Sequence, residues 1–403
     1  MGCMLHEAEP VRSIKRLFPA LQPRFQEPLH VGEPNSGKLD DFLERVKDIF
    51  ERRWFTNNGF YVQEFESRLK EYLGVKHCIP ICNATIALGI AAKALHLTGE
   101  VIVPSFTFVA TPHSLLWQNI TPVFCDIDPE THNLDPAEVE RLITPRTSAI
   151  LGVHVWGRQC AVDALREISR KHRLPLLFDA AHAFGCSHAN TMIGNFGDAE
   201  VFSFHATKFF NTFEGGAVAT NDDELAARIR SMMNFGFAGT DLVVNLGING
   251  KMHEVSAVMG ITSLESAPEF IKRNYENYQT YRKLLTCIPG VSLQNYDKRE
   301  RNNYQYIIAE IDETAAGFTR DALIGFLHSH NVFVRRYFYP GCHLMEPYRS
   351  LSASSSPPLR NLINTEKLCK RIISFPNGMA VVPAKIEQIV ELIFEFSRSE
   401  ALR

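Results

Sequence analysis

Lys208, in Phe202-Ser-Phe-His-Ala-Thr-Lys208, follows the acidic strand end Leu176-Leu-Phe-Asp179 by twenty-nine residues. A lysine amine that sheds its proton attacks carbonyl carbons, and a carboxylate held on a buried strand keeps a pyridine nitrogen protonated. Ser203 stands five residues before the lysine, and a glycine pair, Gly215-Gly216, comes after it. Together these residues point to a pyridoxal phosphate pocket. Such a pocket needs a lysine amine, an acid beside the ring nitrogen, anchors for a phosphate, and flat groups against the ring.

Each part has a candidate and a competing structural role. Asp179 supplies the acid, although an aspartate at a strand end also serves as a helix N-cap. His182, in Asp179-Ala-Ala-His182, would cover the ring from the same turn, or sit as a buried structural histidine. Phe108, in Ser105-Phe-Thr-Phe108, would stack on the opposite face, or belong to the core as most aromatics do. Cys82-Asn-Ala-Thr85 follows a strand and opens the helical run Ile86 to Leu97. Free N–H groups and a positive dipole end there suit an anion, and the dipole contributes about 0.3–1 kcal/mol. Asn83 and Thr85 would serve equally as ordinary caps, so a side-chain hydroxyl such as that of Ser203 is needed as well. Lys208 taken alone is a solvated surface amine. Phe209 and Phe210 follow it directly, and apolar surroundings lower an amine's proton affinity.

These groups need a scaffold, and the spacing predicts an α/β one. From residue 74 onward, short β-branched runs alternate with helix-length segments. The runs are Lys76 to Ile81, Val101 to Val103, Thr121 to Phe124, Ser148 to Val155, Leu174 to Phe178, Val201 to Phe204 and Ala217 to Thr220. Apolar runs without alternation mark strands covered on both faces, so a mostly parallel seven-stranded sheet is expected. The last run follows its predecessor too closely for a helical crossover and should be antiparallel. Ligands bind beyond the carboxyl ends of such strands, where Asp179 and the Ser203 to Lys208 segment lie. Helical segments Asp223 to Asn234 and Glu254 to Glu269 then lead into an amphipathic connector, Ile271 to Leu285. A second α/β unit begins near Gly290, with strands Tyr304 to Ile311 and Val332 to Arg335. The expected division is an N-terminal arm at 1–35, free to wrap a partner, a large domain at 36–270 and a small domain at 271–403. Leu351-Ser-Ala-Ser-Ser-Ser-Pro-Pro358 reads as a surface loop.

Composition removes other classes. Of 403 residues, 45% are apolar and 22% charged, with a formal charge of -3, ordinary values for globular domains. No Lys/Arg stripe interleaved with aromatics suggests nucleic acid. Nine scattered cysteines without CxxC pairs fit reduced thiols in a cytoplasm and neither a disulfide framework nor a metal site. Met1-Gly-Cys-Met-Leu-His6 reads as neither a myristoylation nor a secretion signal. Val101 to Cys125 carries no Asp, Glu, Lys or Arg, but Pro104, Pro112 and Pro122 break it, so strand, helix and strand are expected rather than a membrane span.

The chain resembles the DegT/StrS family of pyridoxal phosphate-dependent sugar aminotransferases, from about Phe55-Thr-Asn-Asn-Gly59 to Arg335-Arg-Tyr-Phe-Tyr-Pro340. The resemblance rests on Pro104-Ser-Phe-Thr-Phe-Val-Ala-Thr111, Asp126-Ile-Asp128, Asp179-Ala-Ala-His182, Ser203-Phe-His-Ala-Thr-Lys208, Glu214-Gly-Gly-Ala217 and Gly247-Ile-Asn-Gly-Lys-Met-His-Glu254. It implies an aspartate aminotransferase-like fold (fold type I), with Lys208 bonded to the cofactor and Asp179 on the pyridine nitrogen. His182 and Phe108 would flank the ring, and Ala84, Thr85 and Ser203 would hold the phosphate. Asn249 matches an asparagine that reaches the neighbouring subunit's cofactor, implying a homodimer with shared active sites. The implied reaction moves an amino group from L-glutamate to a nucleotide-linked keto sugar. Val155-Trp-Gly-Arg-Gln-Cys160, Thr207 to Gly216 and Ile248-Asn-Gly-Lys-Met252 look most like the branch that aminates dTDP-4-keto-6-deoxyglucose at C4. The alternatives are amination at C3 or of a UDP-linked sugar, and a non-catalytic sensor on the same fold. The chain departs from the family pattern at Asn83-Ala-Thr85, where many relatives carry glycine before the threonine, and at His253. For the sugar, Thr56, Asn57, Asn58, Arg335, Arg336 and Tyr337 are candidates, with turn-forming Asn and solvated Arg as the competing readings.

Overall fold

The computed structural model describes residues 22–353 and 361–401. Most of the expected arm, residues 1–21, and most of the expected 351–358 loop lie outside the described residues; Leu351 belongs to the helix Tyr348–Ala353. The strands in chain order are β1 Leu29–His30, β2 His77–Ile81, β3 Glu100–Pro104, β4 Thr121–Cys125, β5 Thr147–Val153, β6 Leu176–Asp179, β7 Ser187–His188, β8 Thr191–Met192, β9 Ala199–Ser203, β10 Gly216–Thr220, β11 Val291–Leu293, β12 Ile307–Ile311, β13 Val332–Phe333 and β14 Ile372–Phe375.

Seven of these strands form one sheet in the order β2-β10-β9-β6-β5-β3-β4. All the neighbouring pairs from β9 to β4 are parallel, and β10 runs antiparallel to both of its neighbours, β9 and β2, as its short connection requires. The strand residues are apolar without alternation because each face of the sheet has its own core. Leu176 and Phe178 point into one cluster with Ile102, Ile150 and Phe202. Leu177 points into the other, with Val101, Val103, Leu151 and Val201.

A single 32-residue helix, Glu254–Leu285, replaces the expected helix and separate connector. It runs through Pro268, whose missing N–H costs one helical bond. Pro268 is exposed, so water can take the place of that donor, while Ala267 and Phe270 on the other side are buried and hold the helix in place.

A third core cluster gathers Leu29, Tyr281, Ile307, Ile311, Leu323, Val332, Phe375 and Ile389 around the antiparallel sheet β11-β12-β14. β12 starts three residues later than expected because Tyr304 takes a left-handed backbone, φ 49°, that no strand continues. β13 is only two residues long and pairs in parallel with β1. Phe25 and Leu29 are buried in this core, and Arg24 reaches Glu391 and Glu395. Within the described part of the arm, residues 22–35, Arg24, Phe25 and Leu29 thus contact the C-terminal part of their own chain.

Candidate active site

The parallel order sets Asp179 and Ser203 side by side, since β6 and β9 are neighbours and both end on the same edge. β10 then brings the end of β2 to the same place, with Gly216 opposite both Ile81 and Ser203. A Cβ on Gly216 would stand 2.7 Å from the Ala84 backbone nitrogen and 2.8 Å from the Phe202 carbonyl oxygen, so only glycine lets these backbones approach. Beyond these strand ends lies a cavity of ≈ 680 Å³ whose lining includes Ala84, Thr85, Phe108, Asp179, His182, Ser203 and Lys208. The sheet order gathers these residues, distant from one another in the chain, around one space.

Asp179 is buried, and both carboxylate oxygens are engaged. The Thr111 hydroxyl donates to Oδ2 at 2.8 Å and the Ala181 N–H to Oδ1 at 3.0 Å. Burial pushes the carboxyl's pKa up, while these two donors and the Lys208 charge oppose it. Lys208 is partly open to the cavity, and its Nζ lies 3.1 Å from the Tyr306 hydroxyl. Desolvation lowers the amine to about 8, with Asp179 pulling the other way. About one-tenth of such an amine is neutral at pH 7.

His182 accepts the Trp156 N–H on Nδ1 at 3.1 Å, which leaves the proton of the neutral ring on Nε2. Burial, then the Lys208 charge, holds it well below the usual histidine range, so it is neutral. Its ring stacks on Phe338 at 5.8 Å, and Phe108, exposed to the cavity, meets Phe338 at 6.4 Å.

Asn83 is the N-cap of the helix Ala84–Ala94, accepting the Ile86 N–H at 2.9 Å, so the cap role belongs to Asn83 and not to Thr85. The first-turn N–H groups of Ala84 and Thr85 have no intrahelical acceptor. His253 is likewise a cap, accepting the Ser256 N–H at the start of the long helix.

The donor set fits pyridoxal phosphate. A helix N-terminus and a serine hydroxyl suit its phosphate, a buried carboxylate suits its ring nitrogen, and a desolvated amine suits its aldehyde.

Other candidates fall elsewhere. Asn249 is exposed and bridges Asn234, and it does not line the cavity of its own chain. Asn57 and Asn58 line a separate cleft of ≈ 210 Å³ beside Lys251. Arg335 and Tyr337 do reach the cavity, whereas Arg336 turns away to Asp321 and the Tyr339 ring. Sequence reasoning missed Thr111, Gln305, Tyr306 and Phe338. The available signal was Asn302-Asn303-Tyr304-Gln305-Tyr306, a polar and aromatic run directly before an apolar strand. Among the described residues no cluster of His, Cys, Asp and Glu is arranged to hold a metal, and no helix is long and apolar enough to cross a membrane.

Fold and site together define a pyridoxal phosphate-dependent aminotransferase. Residues 38–394 match the DegT/DnrJ/EryC1/StrS aminotransferase family, and the chain belongs to it. It is 37% identical over 372 residues to a dTDP-4-amino-4,6-dideoxy-D-glucose transaminase of Shigella dysenteriae, covering 92% of this chain and 99% of that protein. A transaminase of the same name from Escherichia coli is 36% identical over 359 residues, covering 87% of this chain and 95% of the relative. A crystal structure of DesI in the presence of its TDP-sugar product shares 46% identity and a TM-score of 0.90, covering 97% of this chain and 98% of that one.

Proposed function

We propose that the protein transfers the amino group of L-glutamate to C4 of dTDP-4-keto-6-deoxyglucose, releasing 2-oxoglutarate and the 4-amino sugar. The observation that carries this reading is similarity along nearly the full length of transaminases named for that amino sugar. Bound pyridoxal phosphate supplies an electron sink for the carbanion formed at the carbon that loses its proton. Asp179 holds the proton on the ring nitrogen, and Thr111 and the Ala181 N–H orient its carboxylate. Lys208 would be the covalent anchor, and its amine, once released, would carry the proton in both half-reactions. Ala84, Thr85 and Ser203 bind the phosphate, and His182 and Phe108 confine the ring.

The active unit is a homodimer in the cytoplasm, with Asn249 reaching the partner's site. Exposed apolar side chains on two segments support the dimer: Leu39, Leu43, Phe50, Trp54 and Phe55 on one, and Leu242, Val243, Val244, Leu246 and Ile248 on the other. The boundary between a large domain at 36–270 and a small domain at 271–403 falls inside the long helix. Ala267 and Phe270 pack in the core of the large sheet, and Tyr278 and Tyr281 in the third core.

The test incubates purified protein with pyridoxal phosphate, glutamate and, in turn, dTDP-4-keto-6-deoxyglucose, a 3-keto isomer and a UDP-linked 4-keto sugar. Release of 2-oxoglutarate is expected with the first. Its absence there, with turnover of either competitor, overturns the assignment.

A further inference from the structure

Tyr306 enters the site from the part of the chain that follows the long helix, ninety-eight residues after Lys208. Its hydroxyl lies 3.1 Å from Lys208 Nζ, and its ring stands 4.5 Å from that of His182. The segment that carries it is tied down on three sides. Asn303 Nδ2 donates to the His182 and Phe184 carbonyls, Asn377 Nδ2 to the Tyr304 and Gln305 carbonyls, and the Tyr296 hydroxyl to the Tyr306 carbonyl at 2.8 Å. Gln305 Nε2 donates to the Thr207 carbonyl, beside the lysine itself. A buried tyrosine fixed this firmly and aimed at one amine has more than packing to do.

We propose that Tyr306 is a positioning residue that holds the Lys208 amine in place whenever the lysine is released from the cofactor, so that one lysine serves both half-reactions. This rests on the reading of Lys208 as the cofactor lysine. A hydroxyl accepts from the ammonium and donates to the neutral amine, so it keeps a grip on the lysine in both states. The ammonium contact is charge-assisted and the stronger of the two, so Tyr306 favours the protonated lysine. The other titratable groups facing Lys208 are Asp179, which also favours the ammonium, and neutral His182. Tyr337 and Tyr296 stand beyond Tyr306.

The test compares Tyr306→Phe with wild type and with Tyr348→Phe, which loses a buried hydroxyl bonded to His113 and to neither the lysine nor the segment that carries Tyr306. In full-length protein before cofactor is added, competitive acetylation of Lys208 followed by mass spectrometry gives its titration midpoint. With cofactor, glutamate-driven loss of the visible band gives the half-reaction rate. In Tyr306→Phe the midpoint should fall by about half to one unit, and the rate by about 10–100-fold with the glutamate KM within about twofold. A merely electrostatic role predicts the opposite change in rate, since a lower midpoint leaves more neutral amine. An unchanged midpoint and rate in Tyr306→Phe, or equal effects in Tyr348→Phe, overturns the proposal. A wild-type band that ignores glutamate while the Tyr306→Phe midpoint still falls sinks the donor assignment and leaves the contact standing.

Discussion

Gly216→Ala tests whether the close approach of three backbones builds the phosphate cradle. The new methyl would lie 2.7 Å from the Ala84 nitrogen and 2.8 Å from the Phe202 carbonyl oxygen. Comfortable contacts are near 3.5–4.0 Å, so one backbone must shift by about 0.5–1 Å. Overpacking of this kind costs about 1–3 kcal/mol. If half of that falls on the helix start at Ala84 and Thr85, cofactor affinity weakens by about 2–12-fold. The control is Gly74→Ala. Gly74 is a helix C-cap at φ +66° with nothing within 4 Å of an added methyl, so alanine there strains only its own backbone, by about 1–2 kcal/mol. Pyridoxal phosphate titration by absorbance, alongside thermal unfolding, separates the two. Both variants should melt earlier, and only Gly216→Ala should bind cofactor more weakly. A Gly216→Ala affinity within twofold of wild type refutes the reasoning.

Lys208→Ala should retain the fold by circular dichroism while losing turnover and the visible band; a retained glutamate half-reaction would show that another amine is the nucleophile. Thr111→Val removes one of the two donors to Asp179 at nearly constant volume. The carboxyl's proton affinity should rise further and turnover fall by about tenfold, measured as kcat across pH, and an unchanged kcat would remove Thr111 from the site.

The seven strands of the large sheet were legible because each is a mainly apolar run, and the antiparallel turn of β10 because its connection is too short for a helix. The meeting of Lys208, Asp179 and Ser203 at one cavity was legible because the apolar runs stop at or just before them, on one edge of a mostly parallel sheet. The continuous helix through Pro268 was not, since burial of its opposite face overrides the local break. Tyr306 was not, because its role depends on a contact ninety-eight residues away.

Local pattern was enough for the alternation of strands and helices, for placing Lys208 and Asp179 beside one cavity, and for the family. Proton affinities and partnerships were settled only by packing. Lys208 becomes an amine near 8 because folding removes water from it, and it meets Tyr306 because the segment after the long helix returns to the strand ends. Desolvation and long-range contact are properties of the assembled chain, and no spacing along it encodes them.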